Sequence, residues 1–248
     1  MLKIICFILG TMMGSFFNVL ICRLPKEESV VLPASHCPQC QHRLSWSELI
    51  PVLSYLLQRG QCSHCGQQIS LQYPMVELTT GLIYVMLLMH YGMTVQFLNA
   101  LLFISLLIPI IIIDLEHQII PDSLNLTGAI LGLLALSFNN ITLLSALSGA
   151  LVGGALMLLI AIVTKGGMGG GDVKMVAMMG IFLGINLTIL ALFVSFVIGG
   201  LICLLLIVSG IRNRKDFIPF GPFLASGGFI AHVYGQEIIR WYLRVAFN

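Results

Sequence analysis

Apolar runs recur along almost the whole chain and are separated by short polar stretches. A helix needs roughly 20 apolar residues to cross a bilayer, and several of these runs approach that length. The pattern therefore predicts about eight membrane-spanning helices. The sixth is short and needs part of the glycine-rich stretch before it as its start. The predicted spans cover residues 2–22, 75–91, 97–113, 124–138, 141–163, 176–183, 187–209 and 220–241.

One polar stretch, residues 25–73, is long enough to form a domain outside the bilayer. Its apolar residues are too scattered for a core of useful size, so such a small domain needs a covalent or metal staple. We therefore predict an all-α polytopic membrane protein in three parts. These are a first transmembrane helix at 1–24, a small domain at 25–73, and a transmembrane domain at 74–248.

Composition supports a membrane protein and excludes an ordinary soluble domain. Of the 248 residues, 58% are hydrophobic and only 9% are charged, and the mean hydropathy is +1.01. The lipid bilayer is thus an expected partner. The net charge of +2 comes without a dense basic patch, so no nucleic acid is expected. We also expect that the first helix is not a cleaved signal peptide, because Lys3 is its only basic flank and no small-residue cleavage site follows.

The distribution of basic residues predicts the orientation, because loops on the cytoplasmic side carry an excess of lysine and arginine. A cytoplasmic 25–73 segment puts nine basic residues inside and three outside, and it puts both termini outside. The nine are Arg23, Lys26, Arg43, Arg59, Lys165, Lys174, Arg212, Arg214 and Lys215, and the three are Lys3, Arg240 and Arg244.

Glycines spaced four apart occur within four predicted spans, and small residues at this spacing let helices pack closely in lipid. We expect them to serve general helix packing and not a dimer interface. The pairs are Gly10/Gly14, Gly128/Gly132, Gly149/Gly153 and Gly180/Gly184.

The polar segment contains two CxxC pairs, Cys37/Cys40 and Cys62/Cys65. Four thiolates at this spacing suit a tetrahedral structural Zn²⁺. A pair of disulfides is the first alternative, which a reducing cytosol disfavours. A redox CxxC is the second, although one pair in a βαβ unit is then expected. The nearby histidines, His36, His42 and His64, are interpreted as bystanders.

A glycine-rich stretch at 166–174, GGMGGGDVK, lies between two apolar runs and contains one carboxylate, Asp172. An ionisable residue at membrane depth is costly and is therefore a candidate functional residue. Glycine lets another chain approach closely, so Gly169, Gly170 and Gly171 are candidates for substrate approach. The alternative is a flexible loop in which Asp172 is the N-cap of the next helix.

A second group of carboxylates begins with Asp114, at the end of an apolar span. A lone carboxylate is badly placed at a helix C-terminus because of the helix dipole, which makes a purely structural role for Asp114 less plausible. Asp122 precedes the next span and is interpreted as its N-cap. With Asp172, the chain has an aspartate at each of two junctions on the predicted cytoplasmic face.

Two aspartates that share one proton can activate water and protonate an amide leaving group. Other site chemistries lack their motifs: residue 172 is Asp where a P-loop needs Lys, and neither GxGxxG, GxSxG nor HExxH occurs. A role as a non-enzymatic scaffold does not explain why Asp172 and the neighbouring glycines are present.

Several motifs spread over most of the chain resemble those of the type IV prepilin peptidases, membrane aspartyl proteases of the GxGD type. They are GSFFNVLICRLP at 14–25, CPQC at 37–40, LSWSELIP at 44–51, GQCSHC at 60–65, YPMVE at 73–77, Asp114 with IPD at 120–122, and GGGDVK at 169–174. Each motif alone is weak, but their order and spacing together are specific.

The resemblance implies an enzyme of the bacterial inner membrane whose active site faces the cytoplasm. It implies cleavage of prepilins and pseudopilins of type IV pili or type II secretion, after a glycine at the end of a basic leader. The positions that match the family's catalytic residues are Asp114 and Asp172. The resemblance also implies N-methylation of the new N-terminal residue, usually Phe, from S-adenosylmethionine, and it associates the N-terminal portion with that step.

Two alternatives belong to other classes. A small transporter also has buried aspartates and broken helices, but no inverted repeat is visible and the cysteine segment has no evident role in transport. An intramembrane protease of the presenilin or signal-peptide-peptidase type shares Gly-x-Gly-Asp. That group has a Tyr-Asp pair where this chain has Ile113 and Asp114.

Overall fold

The computed structural model describes residues 1–138, 141–164, 167–211, 213 and 218–246. These residues form helices, and no strand longer than an isolated bridge occurs among them. The α-helices are α1 (Leu2–Arg23), α2 (Leu53–Leu57), α3 (Gln72–Tyr91), α4 (Val95–His117), α5 (Asp122–Ala135), α6 (Leu143–Val163), α7 (Gly170–Val208) and α8 (Gly221–Ala246). Four basic residues of the predicted inside loops, Lys165, Arg212, Arg214 and Lys215, lie outside the described residues, as does Gly166 of the glycine-rich stretch.

Contacts divide the chain into two units, Met1–Phe97 and Leu98–Asn248. In the first unit α1 packs against α3 in an antiparallel arrangement, because its glycines allow the backbones to approach. A Cβ added to Gly10 would lie 2.7 Å from Gly81 Cα, and one added to Gly14 would lie 2.7 Å from Glu77 Cα. This GxxxG pair therefore packs two helices of one chain, as predicted.

In the second unit α7 is the central helix, and α5, α6 and α8 pack on it. A Cβ on Gly149 of α6 would lie 2.7 Å from the Gly180 carbonyl oxygen, which makes this contact as close as the one in the first unit. The long helix is interrupted at Gly184, whose φ of 69° and ψ of 173° are not helical. Glycine adopts such a positive φ without the clash that a Cβ would cause.

Four helices among the described residues are long and apolar enough to cross a membrane: Leu2–Lys26, Val95–His117, Leu143–Val163 and Gly170–Val208. The predicted eight separate spans are thus found only in part. The predicted sixth and seventh spans, 176–183 and 187–209, lie on the two sides of the kink at Gly184 in α7. The predicted fourth span is a helix of only 14 residues, α5. The helix α3, which covers the predicted second span, is not among these four. Polar residues such as Glu77 and His90 lower its hydropathy.

Candidate active site and metal centre

Asp114 lies in the last turn of α4, and its side chain is buried. The backbone N–H of Gly221 donates a hydrogen bond of 2.8 Å to Asp114 Oδ2. Because Gly221 is the first residue of α8, the carboxylate lies at the positive end of that helix. The dipole of α8 thereby offsets the unfavourable position that Asp114 has at the C-terminus of its own helix.

Asp172 lies in the first turn of α7 and is also buried. Its Oδ2 accepts a hydrogen bond of 3.0 Å from the backbone N–H of Gly169. Gly169 is the N-cap residue, so Asp172 occupies the third helical position. Its carboxylate accepts the N–H of the N-cap residue, as the acidic residue of a capping box does. The interpretation of Asp172 as the N-cap residue itself is therefore wrong by three positions.

The two aspartates line one cavity of about 290 Å³. Gly169, Gly170 and Gly171 line the same cavity, so the structure brings the predicted catalytic and substrate-approach residues together. A Cβ on Gly170 would meet nothing within 4 Å, which leaves open space beside Asp172. The remaining lining residues are Gln118, Ile119, Ile120, Asp122 and Phe220. Both carboxylates and the three glycines therefore border the same space.

Asp122 does not serve as an N-cap: the N-cap of α5 is Pro121, and no side chain caps this helix. Its carboxylate instead accepts two hydrogen bonds from Lys174 Nζ, at 2.8 and 2.6 Å. Both side chains are exposed, and a pair of this kind contributes roughly 0–1 kcal/mol. Lys174 and Asp122 thus form an ion pair between α7 and α5.

Gly221, the backbone partner of Asp114, is not predicted from the sequence. A Cβ at this position would lie only 2.5 Å from Asp114 Oδ2, so the carboxylate and the start of α8 fit together only without a side chain. The local signal was the Pro-Phe-Gly-Pro run at 219–222, since proline is common in the first turn of a helix. Phe220 and Ile120, which line the cavity, were missed as well.

The four cysteine sulfurs lie within 4.8 Å of one another. The Sγ atoms of Cys37 and Cys65 are 3.8 Å apart, and those of Cys40 and Cys62 are 4.0 Å apart. Tetrahedral zinc with Zn–S bonds of about 2.3 Å separates its sulfurs by roughly 3.8 Å. The cluster therefore fits a tetrahedral metal ion. No histidine belongs to it among the described residues, in agreement with the interpretation of His36, His42 and His64 as bystanders.

Each CxxC pair lies in the same kind of turn. The N–H of Cys37 bonds to the carbonyl of His42 at 2.9 Å, and that of Cys62 bonds to the carbonyl of Gln67 at 2.8 Å. Isolated β-bridges at His36↔Arg43 and Gln61↔Gln68 close the turns. Backbone N–H groups of Cys40 and Gln39 lower the pKa of Cys37 to about 7. They therefore favour the thiolate that a metal binds.

Glu48 joins the two turns. Its carboxylate accepts hydrogen bonds from the hydroxyl of Ser63 in the second turn and from the backbone N–H of Ser45 after the first. These bonds, led by the one from Ser63, lower the pKa of Glu48 to about 2. Glu48 is thus an anion that fixes the relative position of the cysteine turns.

Comparison with known proteins gives two family matches. The bacterial peptidase A24 N-terminal domain matches residues 8–91, and the type IV leader peptidase family matches residues 101–204. A prepilin leader peptidase/N-methyltransferase of Bacillus subtilis (strain 168) is 36% identical over 243 residues, covering 98% of each chain. The chain belongs to the type IV leader peptidase family.

Other relatives carry the same name. The one from Pseudomonas putida is 36% identical over 259 residues, which cover 93% of this chain and 90% of the relative. The one from Pseudomonas aeruginosa PAO1 is 37% identical over 273 residues, which cover 96% and 92%. No solved structure matches the chain.

The two matches divide the sites of this type IV leader peptidase family member. All four cysteines lie within 8–91, and both aspartates lie within 101–204. Gly221 lies beyond the second match although its N–H contacts Asp114. The site geometry therefore adds a residue that the family match does not cover.

Proposed function

We propose that this chain is a membrane aspartic endopeptidase that removes the basic leader from type IV prepilins and pseudopilins by cutting after a glycine. We further propose that it N-methylates the new N-terminal residue, usually Phe. The family membership and the names of the relatives confirm the class, a prepilin peptidase with N-methyltransferase activity. They also argue against a transporter and against a presenilin-type or signal-peptide-peptidase-type protease.

One observation carries the assignment of the catalytic residues: buried Asp114 and Asp172 line one cavity beside open space at Gly170. Two carboxyl groups in one cavity can share a proton. The ionised group takes a proton from the water that attacks the scissile carbonyl, while the protonated group hydrogen-bonds to the carbonyl oxygen. The proton of the protonated carboxyl group then passes to the leaving amine. The route contains no acyl-enzyme, because neither Ser nor Cys acts as nucleophile.

The proposed placement is the bacterial inner membrane, with the cavity and the cysteine segment facing the cytoplasm. The excess of basic residues in the predicted inside loops supports it. Eight crossings are proposed, with α7 supplying two of them. The break at Gly184 supports this count because it divides the 39-residue helix into two apolar parts.

Zinc is the proposed metal of Cys37, Cys40, Cys62 and Cys65, and its role is structural. A closed set of four sulfurs offers no open position for a substrate, and a structural metal contributes folding free energy directly. The proposed parts are the first helix at 1–24, the cytoplasmic zinc domain at 25–73 and the protease domain at 74–248. The low number of buried apolar residues in 25–73 supports the need for a metal.

S-adenosylmethionine is the proposed methyl donor for the second reaction. Its test is separable from the first, because a methyl transfer needs no aspartate pair. An Asp114→Asn protein supplied with a pre-cleaved peptide and labelled S-adenosylmethionine should still transfer label. Absence of transfer, with an active wild-type control, would count against a second activity.

The cleavage test is to co-express the chain with a pilin-like precursor and to weigh the mature N-terminus. Asp114→Asn and Asp172→Asn should each abolish cleavage without unfolding, and the double variant should be no worse because the residues act as a unit. Glu116→Gln is the matched control, an exposed carboxylate on the same helix as Asp114. Near wild-type cleavage by either folded aspartate variant would overturn the assignment.

A further inference from the structure

Residues 46–57 of the cysteine segment expose six large apolar side chains, although this segment is predicted to lie outside the bilayer. The six recur every three to four residues, and those at the two ends, Trp46 and Leu57, are 81% and 82% exposed. Large exposed apolar patches on a protein surface indicate an interaction site. Residues 46–57 are called the apolar loop, and the six side chains are those of Trp46, Leu49, Ile50, Leu53, Leu56 and Leu57.

Glu77 of α3 provides a reference for the depth of this loop in the membrane. The helix α1 is long and apolar enough to cross a membrane, and basic residues, Lys3 and Arg23, lie at its two ends. A helix between these positions is about 30 Å long, which is the thickness of the hydrocarbon core. A Cβ on Gly14 would lie 2.7 Å from Glu77 Cα, so Glu77 lies at the level of Gly14. Glu77 is therefore about 13.5 Å below the level of Arg23 along the helix.

The apolar loop extends towards this level. Glu77 Oε2 accepts a hydrogen bond of 2.7 Å from the backbone N–H of Val52, in the second half of the loop. A glutamate side chain extends roughly 5 Å from its Cα at ordinary bond lengths, so the Val52 nitrogen lies at most roughly 8 Å from Glu77 Cα. Even if the Glu77 side chain pointed straight towards the membrane surface, Val52 would lie at least about 5 Å below the level of Arg23.

The leucines that follow Val52 suit this depth. Leu53, Leu56 and Leu57 are three and four positions apart in α2, so they share one face of this short helix. Interfacial helices bury their apolar face about 5–10 Å into the boundary between headgroups and acyl chains, and Val52 lies in this range. Trp46 is six residues earlier, and tryptophan is enriched at the interface between membrane and water.

The backbone of the loop also suits a lipid environment, in which unpaired N–H groups are costly. The N–H groups of Leu53, Ser54 and Leu56 bond to carbonyls within the loop, and that of Val52 bonds to Glu77. Val52 has a φ of 64° and a ψ of −49°, a conformation that β-branched residues rarely adopt. Such strain persists only where the surroundings impose it, and the hydrogen bond to Glu77 holds Val52 in this position.

We propose that the apolar loop is inserted into the bilayer, with its apolar side chains against the acyl chains of the leaflet on the side of the cysteine segment. Insertion would anchor the cysteine turns at the membrane surface, because Glu48 of the same loop accepts a hydrogen bond from Ser63 of the second turn. An exposed cation, Arg59, follows α2 by two residues, and long basic side chains of this kind extend to lipid phosphates. The inference needs only that α1 crosses the membrane and is independent of the proposed reaction.

Tryptophan fluorescence can report the depth of the loop in the whole protein, because the chain has only two tryptophans, Trp46 and Trp241. Trp241→Phe leaves Trp46 as the single tryptophan without changing the loop. In vesicles of phosphatidylcholine and phosphatidylglycerol, lipids brominated on the upper part of their acyl chains should quench most of its emission, whereas aqueous iodide should quench little. Quenching of Trp46 by iodide and not by brominated lipid overturns the inference.

A second probe tests the far end of the loop. In a chain with Trp46→Phe and Trp241→Phe, Leu57→Trp keeps an apolar side chain at the most exposed position and should also be quenched by brominated lipid. Gln67→Trp in the same background is the matched control, an exposed polar position in the second cysteine turn. It should be quenched by iodide and not by lipid. Equal lipid quenching at positions 57 and 67 overturns the inference.

Two further outcomes distinguish the bilayer from other occupants and from the proposed function. A second copy of the chain or another protein on the loop would protect the probe at position 57 from iodide and from brominated lipid alike, and this result also refutes insertion. Precursor cleavage is measured in the same vesicles. A chain that cleaves while its loop is open to iodide refutes the inference alone. A chain whose loop is quenched by lipid but which never cleaves refutes the proposed function alone.

Discussion

The sharpest structural prediction concerns Gly221, the first residue of α8. Replacing it with alanine adds one carbon at a position where a Cβ would lie 2.5 Å from Asp114 Oδ2 and 3.0 Å from its Cγ. Carbon and oxygen atoms in contact settle at about 3.3 Å or more. The carboxylate must therefore move by roughly 0.8 Å, the difference between these two distances.

A displacement of this size is large for a catalytic group, since about 1 Å of misplacement can reduce the rate 10²-fold. It also disturbs the 2.8 Å hydrogen bond from the Gly221 N–H. We expect Gly221→Ala to lower kcat for precursor cleavage about 10- to 100-fold. Stability should be unchanged or slightly higher, because alanine is the better helix former.

The assay combines the rate of precursor cleavage in detergent or vesicles with thermal unfolding of the same preparations. Gly200→Ala is the matched control, because a Cβ at Gly200 of α7 meets nothing within 4 Å. A Gly221→Ala protein that is folded and cleaves at the wild-type rate would refute the claim that the start of α8 positions Asp114.

Three other parts of the chain give predictions of their own. Cys37→Ser should remove bound zinc and make the 25–73 segment sensitive to added protease, as metal analysis and digestion would reveal; a purified wild-type chain without zinc would contradict this. The Glu77 carboxylate accepts a hydrogen bond of 2.7 Å from the backbone N–H of Val52. Glu77→Leu should therefore lower the free energy of unfolding by about 1–3 kcal/mol, whereas Glu77→Gln should keep most of the wild-type stability; equal unfolding curves for both variants would contradict this. Gly180→Ala would force a Cβ into the backbone of Gly149, so this variant should accumulate poorly in membranes, and normal accumulation would show that the α6–α7 contact can relax.

Local chemistry explains which parts of the site the sequence predicted. The CxxC pairs were found because both ligands of a pair share one turn, so spacing alone identifies them. Asp172 and Asp114 were found because a carboxylate beside a long apolar run is unusual wherever the chain folds. These signals lie within a few residues of one another, so they can be recognised without knowledge of tertiary contacts.

Gly221 was missed because its importance depends on a distant residue. Gly221 is 107 positions from Asp114 along the chain, and glycines are too common here for one to stand out. Of the eight predicted spans, four match helices that are long and apolar enough to cross a membrane in the described part of the chain, and the predicted boundary between the sixth and seventh spans falls at the kink of α7 at Gly184.

The surroundings of the two aspartates suit a pair that must share a proton. Their hydrogen-bond donors are the backbone N–H groups of Gly221 and Gly169 at helix starts, and in the described ranges neither aspartate forms a salt bridge. Helix ends act as partial positive charges of roughly half a unit. A lysine within bonding distance would instead hold both carboxylates ionised and leave no proton for the carbonyl oxygen. Lys174 lies only two residues from Asp172, yet its ammonium group bonds to Asp122. The charge of the Lys174 ammonium group is thus balanced by Asp122, a carboxylate outside the pair that would do the chemistry.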